Sequence, residues 1–361
     1  MKKQQQIRNW LKNYEHHVMT EASLLQIEGF PRLTEELFSQ FEKTGNRLQY
    51  EDAYFGRRKY LLVYALEALI LKKNGEKVSM GKLEWVLEEI LNERCWALPA
   101  HVNRQSDPAW EYTLDLFAAE TAQTLSEIGW IFRHELDQAV KIRLDEEVYR
   151  RVLETFGKSA KGSYGWEKDC NNWNAVCGGS VGAAAWYQKQ GTENERQKQE
   201  MDGIIDRICE DLSCFLDSFS EDGACMEGLG YWEYGMSYYI MFADLLRQPG
   251  GENRELLVKD KVKKIMEFQQ ICYFPGGRTI SFSDGDSRGK FRMGLTCYLA
   301  MEDPQVEIPD VKNAMDFGGD PCYRCMFLIR GIQVNPQCYK LEVIIYWIYF
   351  ISCKIAIILL I

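Results

Sequence analysis

Apolar residues recur at helical spacing through most of the first 270 residues, and this periodicity constrains the fold more than any other feature. The segment 60–72, YLLVYALEALILK, is apolar on nearly every side, which predicts a helix packed against several neighbours. Further helical runs cover 83–92, 114–132, 145–156, 174–188, 201–218, 235–246 and 255–270. Because no clear strand precedes residue 275, these runs predict an all-α fold of stacked helical hairpins. The chain shows no fixed-period repeat, which argues against a solenoid of near-identical units.

The overall charge and hydrophobic content are those of a folded, acidic chain. The formal net charge is −10, and 46% of the 361 residues are hydrophobic. A negative balance disfavours a general nucleic-acid binder, which needs a basic face to displace counterions from phosphates. The N-terminal stretch 1–15 is polar and contains no apolar signal segment, so we expect a cytoplasmic protein.

The twelve cysteines are typical of reduced, buried thiols in that compartment rather than of a disulfide framework. One CxxC pair, Cys322 and Cys325, has no second Cys/His pair downstream, which makes it a weak candidate for a zinc or redox site. We therefore expect neither a metal nor a cofactor.

The composition changes after Tyr273. A turn cluster at 274–277 precedes a candidate strand over 278–282, and the last 19 residues, 343–361, contain 17 apolar ones. That length just reaches a membrane span, but the central Lys354 costs about 2.5–3.5 kcal/mol on insertion scales. Three interpretations of the tail compete: a membrane anchor, a buried strand or helix, and, favoured here, a tail foreign to the ancestral domain.

Two segments differ from ordinary structural sequence, and the first is 166–182, WEKDCNNWNAVCGGSVG. Three asparagines, Asn171, Asn172 and Asn174, stand within four positions and hydrogen-bond well at helix starts. Small residues follow, which predicts a helix in close contact with a neighbour. The segment is either an asparagine-rich helix cap or a row of carboxamides at the mouth of a cleft.

The second segment is 222–239, DGACMEGLGYWEYGMSYY. Its glycines break the helical pattern around Tyr231, Trp232 and Tyr234. Aromatic side chains on a glycine-rich loop before a helix suit a carbohydrate platform, because sugar rings stack on aromatic faces. The alternative is a turn packed with aromatic residues.

Together, the two segments resemble the heparinase II/III family of polysaccharide lyases. The resemblance rests on NNWNAVCGGSVG and DGACMEGLGYWEYG, with WALPAH at 96–101, LDLFAAETA at 114–122 and FPGGRTISFSDGDS at 274–287, and it spans about 50–320. It implies an (α/α) toroid of helical hairpins followed by a β-sandwich, and cleavage of acidic polysaccharides by β-elimination.

The resemblance also implies roles for residues of the two motifs. Asn172 would neutralise the carboxylate of a uronic acid, with Asn171 and Asn174 in support, because preorganised carboxamide donors stabilise a developing enediolate. Tyr231 would serve as base and acid, with Tyr234 the second choice. A tyrosine base needs a pKa lowered from about 10 by nearby positive charge or donors.

Substrate contacts follow from the same resemblance. Glu227 would orient the tyrosine or bind sugar hydroxyls. The other expected contacts around the cleft are His101, Arg104, Glu120, Trp173 and Trp232. Many relatives have a histidine where this chain has Trp173. A histidine base is therefore not available at that position, and the tyrosine would have to take over its part in proton transfer.

The chain also departs from the family at its C-terminal side. The last of its four histidines is His134, whereas the family takes a further histidine, and sometimes a metal site, from the sandwich. We therefore expect four segments: an N-terminal helical lead-in at 1–50, an incomplete toroid at 51–272, a β-rich start of a sandwich at 273–336 and the hydrophobic tail at 337–361. Such a chain would be a truncated lyase.

Two other functions stay open at this stage. A glycoside hydrolase on a similar toroid would use paired carboxylates such as Asp222 and Glu227. A truncated, non-catalytic protein would bind glycans without turnover. In every case the expected partner is an acidic polysaccharide or oligosaccharide such as heparin or heparan sulfate, with a membrane involved only if 343–361 is a genuine anchor.

Overall fold

The computed structural model describes residues 2–248, 256–257 and 260–334. These residues are mostly helical, so the all-α class predicted from the sequence is confirmed for them. The α-helices are α1 (Lys2–Leu24), α2 (Glu35–Thr44), α3 (Leu48–Lys73), α4 (Gly81–Leu91), α5 (Leu116–Ile131), α6 (Gln138–Val148), α7 (Glu154–Lys158), α8 (Asn172–Gly191), α9 (Glu195–Asp211), α10 (Ser213–Asp217), α11 (Leu229–Arg247), α12 (Asp260–Ile271), α13 (Met293–Glu302) and α14 (Cys325–Ile332). A π-helical turn, Tyr149–Leu153, joins α6 to α7, and short 3-10 turns occupy Pro99–His101 and Trp110–Tyr112.

Helices that follow one another in the chain pack as antiparallel hairpins. In the α8–α9 pair, Lys189 near the end of α8 binds Asp202 in the first half of α9, while Gly178 near the start of α8 lies against Ile208 near the end of α9. The pair α3–α4 is built in the same way. These two pairs are helical hairpins.

The longer buried helices α5, α8 and α11 run in the same direction. At their starts, a Cβ placed on Gly235 of α11 would lie 3.5 Å from the Cβ of Asn172 in α8. Further along, a Cβ on Gly182 would meet the ring of Phe242 at 2.5 Å. The ring of Trp130 at the end of α5 lies 6.1 Å from that of Trp186 at the end of α8. All three helices therefore begin at one end of the molecule.

The helices α3 and α14 share this direction. Arg58 in α3 donates to Thr121 in α5 at 3.1 Å, and Lys72 at the end of α3 donates to the carbonyl of Ile131 at the end of α5 at 3.4 Å. Two buried ion pairs, Glu120–Arg324 and Glu127–Arg330, join α5 to the start and end of α14 in the same order. The starts of α3 and α14 therefore lie at the same end as those of α5, α8 and α11.

One hydrophobic core joins residues from all of the described segments. It extends from Tyr14 in α1 to Ile332 in α14, and the Tyr14 hydroxyl donates to the carbonyl of Leu328 at 2.9 Å. The lead-in predicted at 1–50 thus packs against α14, which comes from the segment 273–336.

The prediction that 273–336 is β-rich is wrong for its described part. Its strands are β1 (Tyr273–Phe274) and β2 (Arg278–Thr279), which pair antiparallel across a turn at Gly276 and Gly277, where both φ angles are positive. The candidate strand over 278–282 is therefore only two residues long. The segment then forms α13 and α14, whose apolar residues are buried on several sides. The β-rich expectation came from the family resemblance, which implies a sandwich in this segment.

The tail 343–361 and residues 335–342 lie outside the described residues. Among the helices that the structure describes, none combines the length and the apolar character needed to cross a membrane.

The close helix contact predicted for the small residues of 166–182 is confirmed. A Cβ at Gly179 would lie 2.7 Å from the carbonyl oxygen of Tyr238 in α11, closer than real Cβ contacts. A Cβ at Gly178 would lie 3.6 Å from Ile208 and Leu212, an ordinary van der Waals distance. The adjacent glycines therefore differ: Gly179 is required by the approach of two backbones and Gly178 is not.

This difference gives a matched test. Gly179→Ala should lower the free energy of unfolding by about 1–3 kcal/mol, because the methyl group must push α11 away. Gly178→Ala should leave it unchanged or raise it by up to about 1 kcal/mol, because alanine favours the helix and the space is present. Urea unfolding of both variants measures the difference, and equal stabilities would contradict the close contact.

Candidate functional site

The start of α8 lies at the end of the molecule where the parallel helices begin, and it holds the asparagine-rich motif. Asn171 is the N-cap of α8, where its side chain accepts a hydrogen bond from the Trp173 N–H at 2.9 Å. A helix start carries partial positive charge from its unpaired N–H groups, which favours an anion nearby. Asn171 thus acts as a helix cap, one of the two interpretations that the sequence left open.

Asn172 is held in place by Glu227 from the second motif. The Glu227 carboxylate accepts from the Asn172 backbone N–H at 3.2 Å and from its side-chain Nδ2 at 3.1 Å. Asn172 is 4% exposed, so its carboxamide is fixed rather than mobile. The structure therefore brings the two motifs together through Glu227 and Asn172, and the sugar or tyrosine contacts expected of Glu227 stay predictions.

Asn174 is a structural residue, and the expectation that its carboxamide supports the site is wrong. Its Nδ2 donates to the carbonyls of Trp166 and Glu167 at 3.0 and 3.3 Å, and its Oδ1 accepts from the Phe215 N–H at 3.2 Å. The residue is 1% exposed. The Asn174 carboxamide therefore links the loop before α8 to α10, and it does not face a cleft.

Tyr231 lies half-buried in the first turn of α11. Its pKa is raised by burial first, and then by the carboxylate and hydrogen bond of Asp284 and the charge of Glu227. These charged neighbours are acids, whereas a phenolate base needs positive charge beside it. The phenol of Tyr231 is consequently held protonated, as a proton donor.

Tyr234 is also held protonated, one turn further along α11. Its hydroxyl donates to Oε1 of Glu120 at 2.6 Å, and burial raises its pKa well above the usual range. The guanidinium of Arg324 lies 4.5 Å from the centre of its ring. The positive charge that a phenolate needs is present here, but the effect of burial exceeds it.

Glu120 is the centre of a buried polar network that links three helices. It accepts hydrogen bonds from Tyr234 and Tyr238 of α11 and from Nε of Arg324, the last at 3.2 Å. Arg324 also binds Asp320 at 2.8 Å. Burial raises the pKa of the Glu120 carboxyl, and Arg324 opposes that rise. Arg324 was not a sequence candidate, although it lies within the CxxC motif at 322–325.

His101 forms a hydrogen-bonded pair with Asp115. The His101 Nδ1 lies 2.7 Å from Oδ2 of Asp115, which is the N-cap of α5. The ring stacks on Phe117 with centroids 6.1 Å apart and lies 5.2 Å from the ring of Trp173 in α8. The structure thus places His101 and Trp173 together at the start of α5 and α8. Asp115 was not a candidate, although its position before the apolar run of α5 is typical of an N-cap.

Two further candidates, Trp232 and Arg104, bind residues of α12 and α2. Trp232 is fully buried, and its Nε1 donates to the carbonyl of Ile265 in α12 at 2.8 Å, so the expectation of a sugar-stacking face is wrong for this residue. Arg104 forms an ion pair with Glu35 of α2 at 2.7 Å. It therefore contacts the lead-in segment.

The acidic, histidine and cysteine side chains are the groups that could bind a metal ion. Within 2–248, 256–257 and 260–334, no group of three or more of them is arranged to hold a metal ion. In the CxxC pair, Cys325 is buried, and burial raises the pKa of Cys322 to about 11. Burial therefore favours the neutral thiol at this pair.

Comparison with known proteins found no match to this chain. No protein-family model matches the chain, and no curated protein sequence matches it. The resemblance to the heparinase II/III family therefore stays a prediction from the sequence motifs alone.

The contact between Glu227 and the start of α8 can be tested by stability. Glu227→Ala should lower the free energy of unfolding by about 1 kcal/mol, because the Asn172 N–H and carboxamide lose their acceptor. Met226→Ala on the same loop should change it by less than about 0.5 kcal/mol, because Met226 is 73% exposed. Thermal or urea unfolding distinguishes the two, and a Glu227→Ala variant as stable as the wild type would exclude the contact.

Proposed function

We propose that this protein is a polysaccharide lyase that cleaves uronic-acid-containing glycans, of the heparin or heparan sulfate type, by β-elimination. We further propose that its parallel helices are the inner helices of an incomplete (α/α) toroid. The observation that supports this best is the meeting of the two motifs, far apart in the sequence, through the Glu227–Asn172 hydrogen bonds at the shared start of α8 and α11.

A uronate carboxylate suits the start of α8. The starts of α8 and α11 lie side by side, and the partial positive charge of a helix start favours an anion. The carboxylate of Glu227 already lies at the start of α8, where it accepts from the Asn172 N–H. We infer that Asn172 and the helix starts together stabilise the carboxylate as it becomes an enediolate.

The two tyrosines, Tyr231 and Tyr234, are suited to donate a proton to the leaving glycosidic oxygen. Both have a raised pKa, so both stay protonated near neutral pH. β-Elimination ends with a proton donated to the glycosidic oxygen, and a neutral phenol is an effective donor. We propose Tyr231 as that acid, because it is the more exposed of the two at the first turn of α11.

The hydrolase alternative finds less support. Asp222 accepts hydrogen bonds from Ser220 and from the Ala224 N–H within one exposed turn, and these bonds lower its pKa, with Ser220 contributing most. An acid catalyst needs a raised pKa instead. Its proposed partner Glu227 uses both oxygens on Asn172.

The proposal includes short acidic oligosaccharides as substrates in the cytoplasm, and it involves no nucleic acid. The alternative of a truncated protein that binds glycans without turnover is an outcome of the experiment below.

The decisive measurement is the ultraviolet absorbance of the conjugated double bond during incubation with heparin, heparan sulfate, chondroitin and alginate. The wild type should produce a rising signal on at least one of them. Asn172→Ala should reduce kcat/KM by about 100- to 1,000-fold, because the enediolate loses a fixed donor. Tyr231→Phe should reduce it by about 100-fold or more. Asn9→Ala, on the exposed face of α1, is the matched control and should not change it.

The same incubations separate the alternatives. New reducing ends without ultraviolet absorbance would identify a hydrolase. Glycan binding by the folded wild type without either product would identify a binding protein. Either result would overturn the proposed lyase.

A further inference from the structure

The start of α5 contains a histidine whose ring is held in one orientation by a buried carboxylate. We propose that His101 is the general base that removes the proton next to the uronate carboxylate, and that Asp115 is its positioning residue. This assignment rests on the proposed lyase function.

The hydrogen bonds of Asp115 fix the tautomer of His101. Oδ1 of Asp115 accepts from the Ala118 N–H at 2.8 Å, and Oδ2 accepts from the Leu98 N–H at 3.2 Å. The Asp115 side chain is 3% exposed, and its Oδ2 also lies 2.7 Å from Nδ1 of His101. Because a carboxylate in this position only accepts, the neutral form of the ring has its proton on Nδ1 and its lone pair on Nε2.

The ring contacts fix the plane of the imidazole beside the start of α8. Phe117 stacks on one side of the imidazole with an angle of 13° between the rings, and Trp173 meets it edge-on at 62°. The histidine side chain remains 24% exposed, so a substrate can reach it. Trp173 directly follows Asn172, so the imidazole lies beside the helix turn that holds the asparagine.

The other groups of the site are less suited to accept a proton. The phenols of Tyr231 and Tyr234 are held protonated. Both oxygens of Glu227 accept from Asn172, and Glu120 accepts from Tyr234, Tyr238 and Arg324. An imidazole whose other nitrogen is already bonded to a carboxylate has the arrangement of a general base.

The proposed reaction is a β-elimination across C4 and C5 of the uronate. Nε2 of His101 takes the proton from C5 of the uronate, and the electron pair of that C–H bond forms the C4–C5 double bond. The C4–O bond breaks, and its electrons stay on the leaving glycosidic oxygen. Tyr231 donates a proton to that oxygen, and proton exchange with water then restores the phenol and the neutral imidazole.

The first test compares two substitutions of the same kind. His101→Asn keeps a donor near Asp115 but has no base, so kcat should fall by about 100- to 10,000-fold while KM changes by less than about threefold. His134→Asn, on an exposed turn, is the matched control and should not change either value.

The second test asks whether a base from solution replaces the side chain. His101→Ala leaves space for a small molecule, and added imidazole should restore at least a tenfold higher kcat to this variant. Asp115→Asn should also lose kcat, but imidazole should not restore it, because the histidine ring still occupies the position. Thermal unfolding of each variant shows whether it is folded.

The outcomes separate the base assignment from the proposed function. A folded wild type that forms no unsaturated product on any glycan overturns both. An active wild type with His101→Asn retaining more than half of kcat overturns the base assignment alone. A rise in KM without loss of kcat would make His101 a substrate contact, and loss of kcat without imidazole rescue would make its role structural. Either result rejects His101 as the general base.

Discussion

The close approach of α8 and α11 is the constraint on which the arrangement of this molecule depends. At Gly179 the carbonyl of Tyr238 occupies the space that any Cβ would need, and at Gly182 the ring of Phe242 does the same. Backbones that approach so closely cannot slide along each other, so the starts of the two helices are fixed side by side. That alignment lets Glu227, just before α11, bind Asn172 in the first turn of α8.

Buried charges add specificity to this packing rather than a large gain in stability. Glu120–Arg324 and Glu127–Arg330 join α5 to α14, and Arg58–Glu93 lies between α3 and the loop after α4. A buried ion pair loses hydration that its mutual attraction only partly returns, whereas an ion left without its partner is very costly. Each pair therefore favours one position of its helices, and together they hold the parallel helices with their starts at the same end.

This arrangement changes the chemistry that the motif residues can perform. The acids that stabilise the site, Glu120, Glu227 and Asp284, also surround the tyrosines and keep them protonated. A tyrosine base would need cations there instead. The imidazole of His101, just before α5, meets the ring of Trp173 in the first turn of α8.

The sequence by itself determined the helices and the two segments that matter. The three-to-four spacing of apolar residues specified the major helices before residue 275, and the small residues of 174–188 specified a close helix contact, because both properties are local. Only the tertiary structure decided the roles within the motifs. Asn172 and Asn174 have the same side chain and stand two positions apart. Asn172 donates to Glu227, whereas the carboxamide of Asn174 hydrogen-bonds the backbone of Trp166, Glu167 and Phe215. Trp232 and Tyr231 are adjacent, yet one is buried against α12 and the other is half-exposed. Such differences depend on which distant segment faces each side chain, and a local pattern does not contain that information.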